Sequence, residues 1–411
     1  MRNLYKYILG TILLSTSIFA GIEDTNWAAK KSAISSRSAG VVSKSITRRN
    51  QRASEYMSKD DYSRAIEIFK GITTASKQKF EIAQAYNNLA LAYARTDKYK
   101  LAIDSFEKAL ALDALPLRPT LQSIYSLAQI QTMNKGDAKA LKLMKGWFVL
   151  AKKKKAGALV FTGSLYKKIG NSKLALQMVE EAIGMTKKPK EQWLIFAVAL
   201  HYETKNYDKA GRYLKLLIEK NINKRTYWVQ LTATLLSKDK FKDALAVMEM
   251  AYRLGHLKNE TEIINIVSLF VQTGMPFQGA YFLDRAMKDE KVKGSKKTYE
   301  LLSNAYVASR EYRKALTPLS KAAKLSKDGK LYAHQGRLYL NEENWIKALE
   351  AFTLAEKKGG IKKKGNLYID KGIALIQLKK LERAKVSLQK AIDFEESKKN
   401  ALLWLDYISS L

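Results

Sequence analysis

Alanine recurs at a fixed place in the hydrophobic pattern, three residues after an aromatic or leucine, as in "KYKLA", "NYDKA", "KFKDA", "EYRKA", "NWIKA" and "KLERA". With weaker copies included, the positions are Ala65, Ala102, Ala140, Ala175, Ala210, Ala244, Ala280, Ala315, Ala348 and Ala384, spaced by 33 to 38 residues. Twelve residues earlier a second small residue is common (Ala53, Ala90, Ala128, Gly163, Gly336, Gly372), and seven residues later a third (Ala109, Ala182, Ala251, Ala322, Ala355, Ala391). Two helices approach closely only where side chains are small, so these places mark contacts between a helix A and a helix B. Large residues three after the first small one, Tyr93, Tyr166, Tyr306 and Tyr339, fill the surrounding space. The pattern predicts an all-α chain: a superhelical solenoid of about ten helix-turn-helix repeats, with helix A lining a groove and helix B facing outward.

The stretch "FVQTGMPFQGAYFLDRAM", Phe270 to Met287, tests this, because Gly274, Met275 and Pro276 interrupt what otherwise reads as one amphipathic helix. A proline inside a helix costs about 3 kcal/mol, but at the first turn it removes no internal hydrogen bond. The expectation is therefore a boundary, with Gly274 in the turn, Pro276 opening helix B and Ala280 as the buried small residue.

The copies "AQAYNNLALAYARTDKYKLAIDSFEKALALD" and "LYAHQGRLYLNEENWIKALEAFTLAEKKGG" resemble the tetratricopeptide repeat, and the resemblance extends over residues 46–397. The copy around Ala140 departs from it, with Trp147 where a small residue is usual. A narrower likeness covers about Arg225 to Ile408, carried by the order of "TYWVQLTATLLSKDKFKDALAVMEMAYRLGHL", the Gly-Met-Pro turn, "LSKDGKLY" and "ALLWLDYI". In that order the segments resemble the tetratricopeptide component of TonB energy-transduction systems. This resemblance implies an envelope scaffold working with TonB, ExbB or ExbD proteins.

Outside the repeats, Arg2 and Lys6 precede an apolar run from Ile8 to Ala20, which reads as a secretory signal peptide over residues 1–20. Residues 21–45, rich in Ser, Ala and Lys without helical period, read as a flexible tether. Residues 398–411 read as a capping helix whose Leu402, Leu403, Trp404 and Leu405 cover the last repeat. The expected location is the periplasm of a Gram-negative bacterium, with inner-membrane anchoring if the leader stays uncleaved. The absence of cysteine excludes disulfides and thiol chemistry.

The formal net charge of +34 would attract nucleic acid, an anionic membrane surface or an acidic partner. Lysine dominates that charge, whereas base and phosphate recognition leans on the arginine fork, so nucleic acid is disfavoured. The lysine runs 152–155, 187–188, 357–358, 362–364 and 398–399 fall at repeat junctions, where cations complement helix C-termini. Stacking would align them into a basic ridge open to an acidic peptide or an anionic membrane.

No catalytic, cofactor-binding or metal site is expected: His201, His256 and His334 are far apart in sequence and no glycine-rich phosphate loop occurs. The chemistry available is recognition. Helix A register places Asn88, Lys297, Asn304, Lys330, His334 and Arg337 on the groove side, the last five from neighbouring repeats and suited to a carboxylate or acidic segment. The carboxylate-clamp set of some tetratricopeptide domains is absent, since Asn88 lacks its lysine and arginine partners. The sequence thus reads as a non-enzymatic periplasmic interaction scaffold, a component or accessory of a TonB system. The alternative is an assembly adaptor for secretion, pilus or polysaccharide machinery.

Overall fold

The computed structural model describes residues 21–410, which form 22 α-helices and one short 3-10 turn; the signal-peptide reading falls outside the described residues. A first helix, α1 (Trp27–Ser36), precedes five helix pairs: α2 and α3 (Lys44–Ser58, Tyr62–Ala75), α4 and α5 (Lys79–Arg95, Tyr99–Ala111), α6 and α7 (Leu117–Met133, Asp137–Leu150), α8 and α9 (Ala156–Lys168, Ser172–Gly184), α10 and α11 (Glu191–Glu203, Tyr207–Lys220). Five more pairs follow: α12 and α13 (Arg225–Leu236, Phe241–Arg253), α14 and α15 (Glu260–Gln272, Pro276–Lys288), α16 and α17 (Lys296–Ala308, Tyr312–Leu325), α18 and α19 (Lys330–Asn341, Trp345–Lys358), α20 and α21 (Lys364–Gln377, Leu381–Ile392). The last helix is α22 (Glu395–Ser409). The chain divides into two compact units, the first running through Tyr213 and the second from Leu214. Helices consecutive in sequence pack together from α2 to α10 in the first unit and from α12 to α22 in the second, and first helices of neighbouring pairs also touch (α2 with α4; α14 with α16, α18 with α20).

All ten A–B turns share one geometry. The second residue after helix A, the third at Asp239, takes a left-handed conformation, φ between 54° and 83°, at Asp60, Asp97, Lys135, Gly170, Lys205, Asp239, Gly274, Arg310, Glu343 and Lys379. The next N–H then donates to the carbonyl five residues back, from Asp61 to Tyr56 through Lys380 to Leu375, at 2.7 to 3.0 Å. This is the Schellman closure of a helix C-terminus, normally built on glycine. Eight of the ten turns use a residue with a Cβ there, at a local cost. Replacing the exposed Arg310 by glycine is therefore expected to raise unfolding stability by about 0.5–1 kcal/mol, read from urea midpoints at unchanged slope.

The marker alanines are all fully buried. After nine of the ten, the residue four places on is a large apolar one, and the glycines of helix A show how close it comes. A Cβ added to Gly163 would stand 3.0 Å from Val179 Cγ2, one on Gly372 would stand 2.9 Å from Leu388 Cδ2, and one on Gly336 would overlap the Phe352 ring. Where serine replaces the small residue, its hydroxyl is still satisfied: Ser303 Oγ donates to the Ala315 carbonyl at 3.0 Å.

The Gly-Met-Pro interruption is a repeat boundary, as expected. Gly274 has φ of 80° and Pro276 is the first residue of α15. The register differs by one residue, however. Counting from the turn, Gly279 takes the marker place, with the fully buried Leu283 four residues on and the buried Ala286 seven on. A Cβ on Gly279 would come 2.8 Å from Phe270 Cβ and 3.3 Å from the Val267 carbonyl. Helix A carries Val267 where most repeats carry a smaller residue, and helix B answers with none. Ala280 is buried as well, one step round the helix.

Residues 21–45 are not an aperiodic tether. The turn Ile22–Asp24 packs on α5 and α7, and α1 on α6 and α7. Trp27 is buried over Gly146, whose missing Cβ makes room for its ring, and Ile34 is buried too. Ion pairs fasten the segment: Glu23 to Lys139 at 3.0 Å, Asp24 to Lys142 at 2.7 Å, and both Lys30 and Arg37 to Asp113. Composition suggested a linker, but two apolar anchors and four ion pairs suffice to order ten helical residues. At the other end, the capping helix starts at Glu395 and buries Ala401 and Ile408, with Trp404 and Leu405 partly covered. Leu402 and Leu403 are exposed and cover nothing.

Candidate functional site

The expected groove residues of the second unit lie on consecutive first helices. On α16, Lys297, Glu300 and Asn304 are spaced by three, four and seven and share one face, and on α18, Lys330, His334 and Arg337 do the same. Lys297 and Asn304 are exposed. Lys330 pairs within its own turn, 3.1 Å from Asp328, so it contributes to the start of α18. Arg337 reaches the next first helix, its Nε donating to Asp370 Oδ2 of α20 at 2.7 Å. Asn88 belongs to the first unit, half-buried on α4 beside Asn87, whose side chain accepts from Ser123 Oγ at 2.6 Å.

The electrostatics differ from a simple cationic patch. Burial pushes His334 below the usual histidine value, the Arg337 charge adds to that, and Glu300 opposes it. His334 is therefore neutral near pH 7, a ring able to donate from one nitrogen and accept at the other. Burial likewise pushes the Asp370 carboxyl above the usual aspartate range, against the pull of Arg337. Of the sequence-predicted donors, the structure thus bonds Arg337 to Asp370 and leaves His334 under the charge of Glu300, two carboxylates that a reading of donors alone does not bring out. Their signal was present in the spacing: Glu300 to His334 is 34 residues and Arg337 to Asp370 is 33, one repeat each. The result is a mixed-charge strip across α16, α18 and α20 that presents amide, imidazole, guanidinium and carboxylate groups together. Such a strip suits the alternating donors and acceptors of a peptide rather than an isolated anion.

The other histidines pack. His201 is fully buried, stacked on Tyr213 with ring centroids 5.4 Å apart. Its Nε2 lies 3.2 Å from Glu180 Oε1 without hydrogen-bond alignment, and burial pushes the imidazole down, Glu180 opposing and Lys209 adding. His256 holds Ile222: its Nε2 lies 2.9 Å from the carbonyl that also accepts from Trp228 Nε1 at 2.8 Å.

Among known families, the tetratricopeptide repeat model matches residues 83–114, within the α4 and α5 pair, and residues 365–398, across α20 and α21. No curated protein matches the chain. Solved structures with similarity include a tetratricopeptide repeat protein from Parabacteroides merdae, 15% identical, covering 73% of this chain and all of that one, TM-score 0.40. Another is the C-terminal part of a repeat-containing protein from Cytophaga hutchinsonii, 17% identical, covering 67% and 95%, TM-score 0.41. A third is YrrB, described as a protein with an unusual peptide-binding site, 20% identical, covering 46% and 95%, TM-score 0.37. The chain carries tetratricopeptide repeats, at 83–114 and at 365–398, within an all-α array of paired helices.

Proposed function

We propose that the chain is a non-enzymatic scaffold that binds a partner protein along its first-helix face, working in the periplasm within or beside a TonB, ExbB and ExbD type of envelope complex. The observation that carries the binding part is the mixed-charge strip of Glu300, His334, Arg337 and Asp370, built from three consecutive repeats, with Arg337 exposed and the other three half-buried. The TonB part is supported by the order of the variant repeats between Arg225 and Ile408. Reversing Arg337 to glutamate would face it with Asp370 and deprive a bound peptide of its strongest donor. Crosslinked envelopes carrying the wild-type chain are expected to yield TonB, ExbB or ExbD proteins on capture, and Arg337→Glu to recover about tenfold less. Recovery of none by the wild type removes the TonB assignment, and equal recovery by the variant removes this face.

A further inference from the structure

The repeat with Trp147 in a small residue's place holds an open recess of about 840 Å³, lined by α6, α7, the α7–α8 connection and the start of α8. Its floor is apolar: Leu117, Leu121, Tyr125 and Trp147. Trp147 occupies the place where most repeats put alanine, and it is buried with its ring edge-on to Phe148. Around the mouth stand Arg118, Lys152, Lys153 and Lys155, with no carboxylate among the lining residues.

The lysine run is sorted by this cavity. Lys154 turns away to Glu181 at 2.6 Å, while its three neighbours line the opening. Helix capping does not account for them all. Lys152 and Lys153 follow the C-terminus of α7, where cations are favoured, but Lys155 is the N-cap of α8 and Arg118 lies in the first turn of α6. Cations at a helix N-terminus oppose the dipole, so capping does not explain these two; lysine also stands at the N-cap of α5, α10, α12, α13, α20 and α21, and what sets Lys155 apart is its place on the cavity beside Arg118, Lys152 and Lys153.

From this arrangement we infer that the cavity is a docking site for a short acidic segment of another protein, anchored by a bulky apolar side chain. The recessed floor takes the anchor, and flanking carboxylates meet the four cations. A bilayer is too flat to enter a recess of this kind. Stacking of nucleic acid bases needs open ring faces, whereas Trp147 is only 4% exposed and Tyr125 packs on Phe161 at 5.4 Å. The site lies in the first unit and involves none of the strip residues, so the two can fail separately.

The test is fluorescence anisotropy of a labelled peptide, Asp-Glu-Asp-Leu-Phe-Asp-Glu-Asp, with the full chain. Binding is expected to weaken by about tenfold when Leu-Phe becomes Ser-Ser, and to fall at high salt. Gly157 lines the cavity, and nothing stands within 4 Å of a Cβ built on it, so Gly157→Trp fills the site without a clash at its root. That variant is expected to bind about tenfold more weakly at unchanged thermal stability. Joint replacement of Lys152, Lys153 and Lys155 by alanine should do the same, whereas Lys154→Ala and Arg337→Glu should bind as the wild type. No binding of the Leu-Phe peptide, equal binding of the Ser-Ser peptide, undiminished binding by Gly157→Trp, or tighter binding of phosphatidylglycerol vesicles or single-stranded DNA would each overturn the inference.

Discussion

A chain that stops after Phe394 is expected to lose its last repeat. Without α22, the apolar groups of α20 and α21 that contact it, including Ile369, Leu375, Ile376 and Leu388, lose a covering that contains Ala401, Trp404, Leu405 and Ile408. Ser397 also goes, and with it the hydroxyl that donates to the Ala391 carbonyl at 2.6 Å. A large apolar side chain fully returned to water loses about 1.5–3 kcal/mol, and with these only partly uncovered the total is on the order of 5 kcal/mol. In a stack where each repeat leans on its neighbours, that is enough to unravel the terminal pair. Thermal unfolding followed by circular dichroism should show a lower midpoint and lower cooperativity, with reduced solubility. A midpoint equal to that of the intact chain would refute the capping role. Leu402 and Leu403 supply the contrast: exposed by 50% and 61%, both should tolerate serine within about 0.5 kcal/mol.

The paired helices were legible in the sequence because their determinants are local. A small residue, a left-handed turn residue and a marker alanine fall within thirteen positions, and most helix pairs repeat them. The register of the α14 and α15 pair is ambiguous in the sequence for the same reason. Aligning on the aromatic places Phe277 three before Ala280, but Pro276 holds the aromatic's position, Phe277 is 41% exposed, and the close approach falls at Gly279. What the sequence hid depends on distant partners. Trp27 finds its place only because Gly146, more than a hundred residues away, has no side chain. The strip was half legible: register places His334 and Arg337 on a first-helix face, while Glu300 and Asp370 are acceptors that only the three-dimensional neighbours bring into it. The lysine run at 152–155 was visible as charge, but the cavity that divides its members arises from the packing of three helices.

Gly336→Val is expected to destabilise the second unit by about 2–3 kcal/mol, because it overfills a crossing whose volume is shared among three side chains. Intrinsic propensity favours the change, since glycine inside a helix costs about 1 kcal/mol, so a loss of stability would be a packing effect. The three positions are the small residue of helix A, the marker of helix B and the residue four beyond it. In the first repeat they are Ala53, Ala65 and Phe69; in the α14 and α15 pair, Val267, Gly279 and Leu283; in the α18 and α19 pair, Gly336, Ala348 and Phe352. Each set balances a larger group against a smaller one. Valine at 336 would meet the fully buried Phe352 ring, which has no free space to turn into. Phe352→Leu shortens that side chain to the one found at 283, 319 and 388, and alone should cost about 1–2 kcal/mol by leaving a void. Combined, the two changes should compensate, the double variant being more stable than the sum of the singles by at least about 1 kcal/mol. Urea unfolding of the four proteins measures that coupling directly. Additive effects would mean that the crossing does not share its volume, and the register assigned to Gly279 on the same grounds would lose its physical basis.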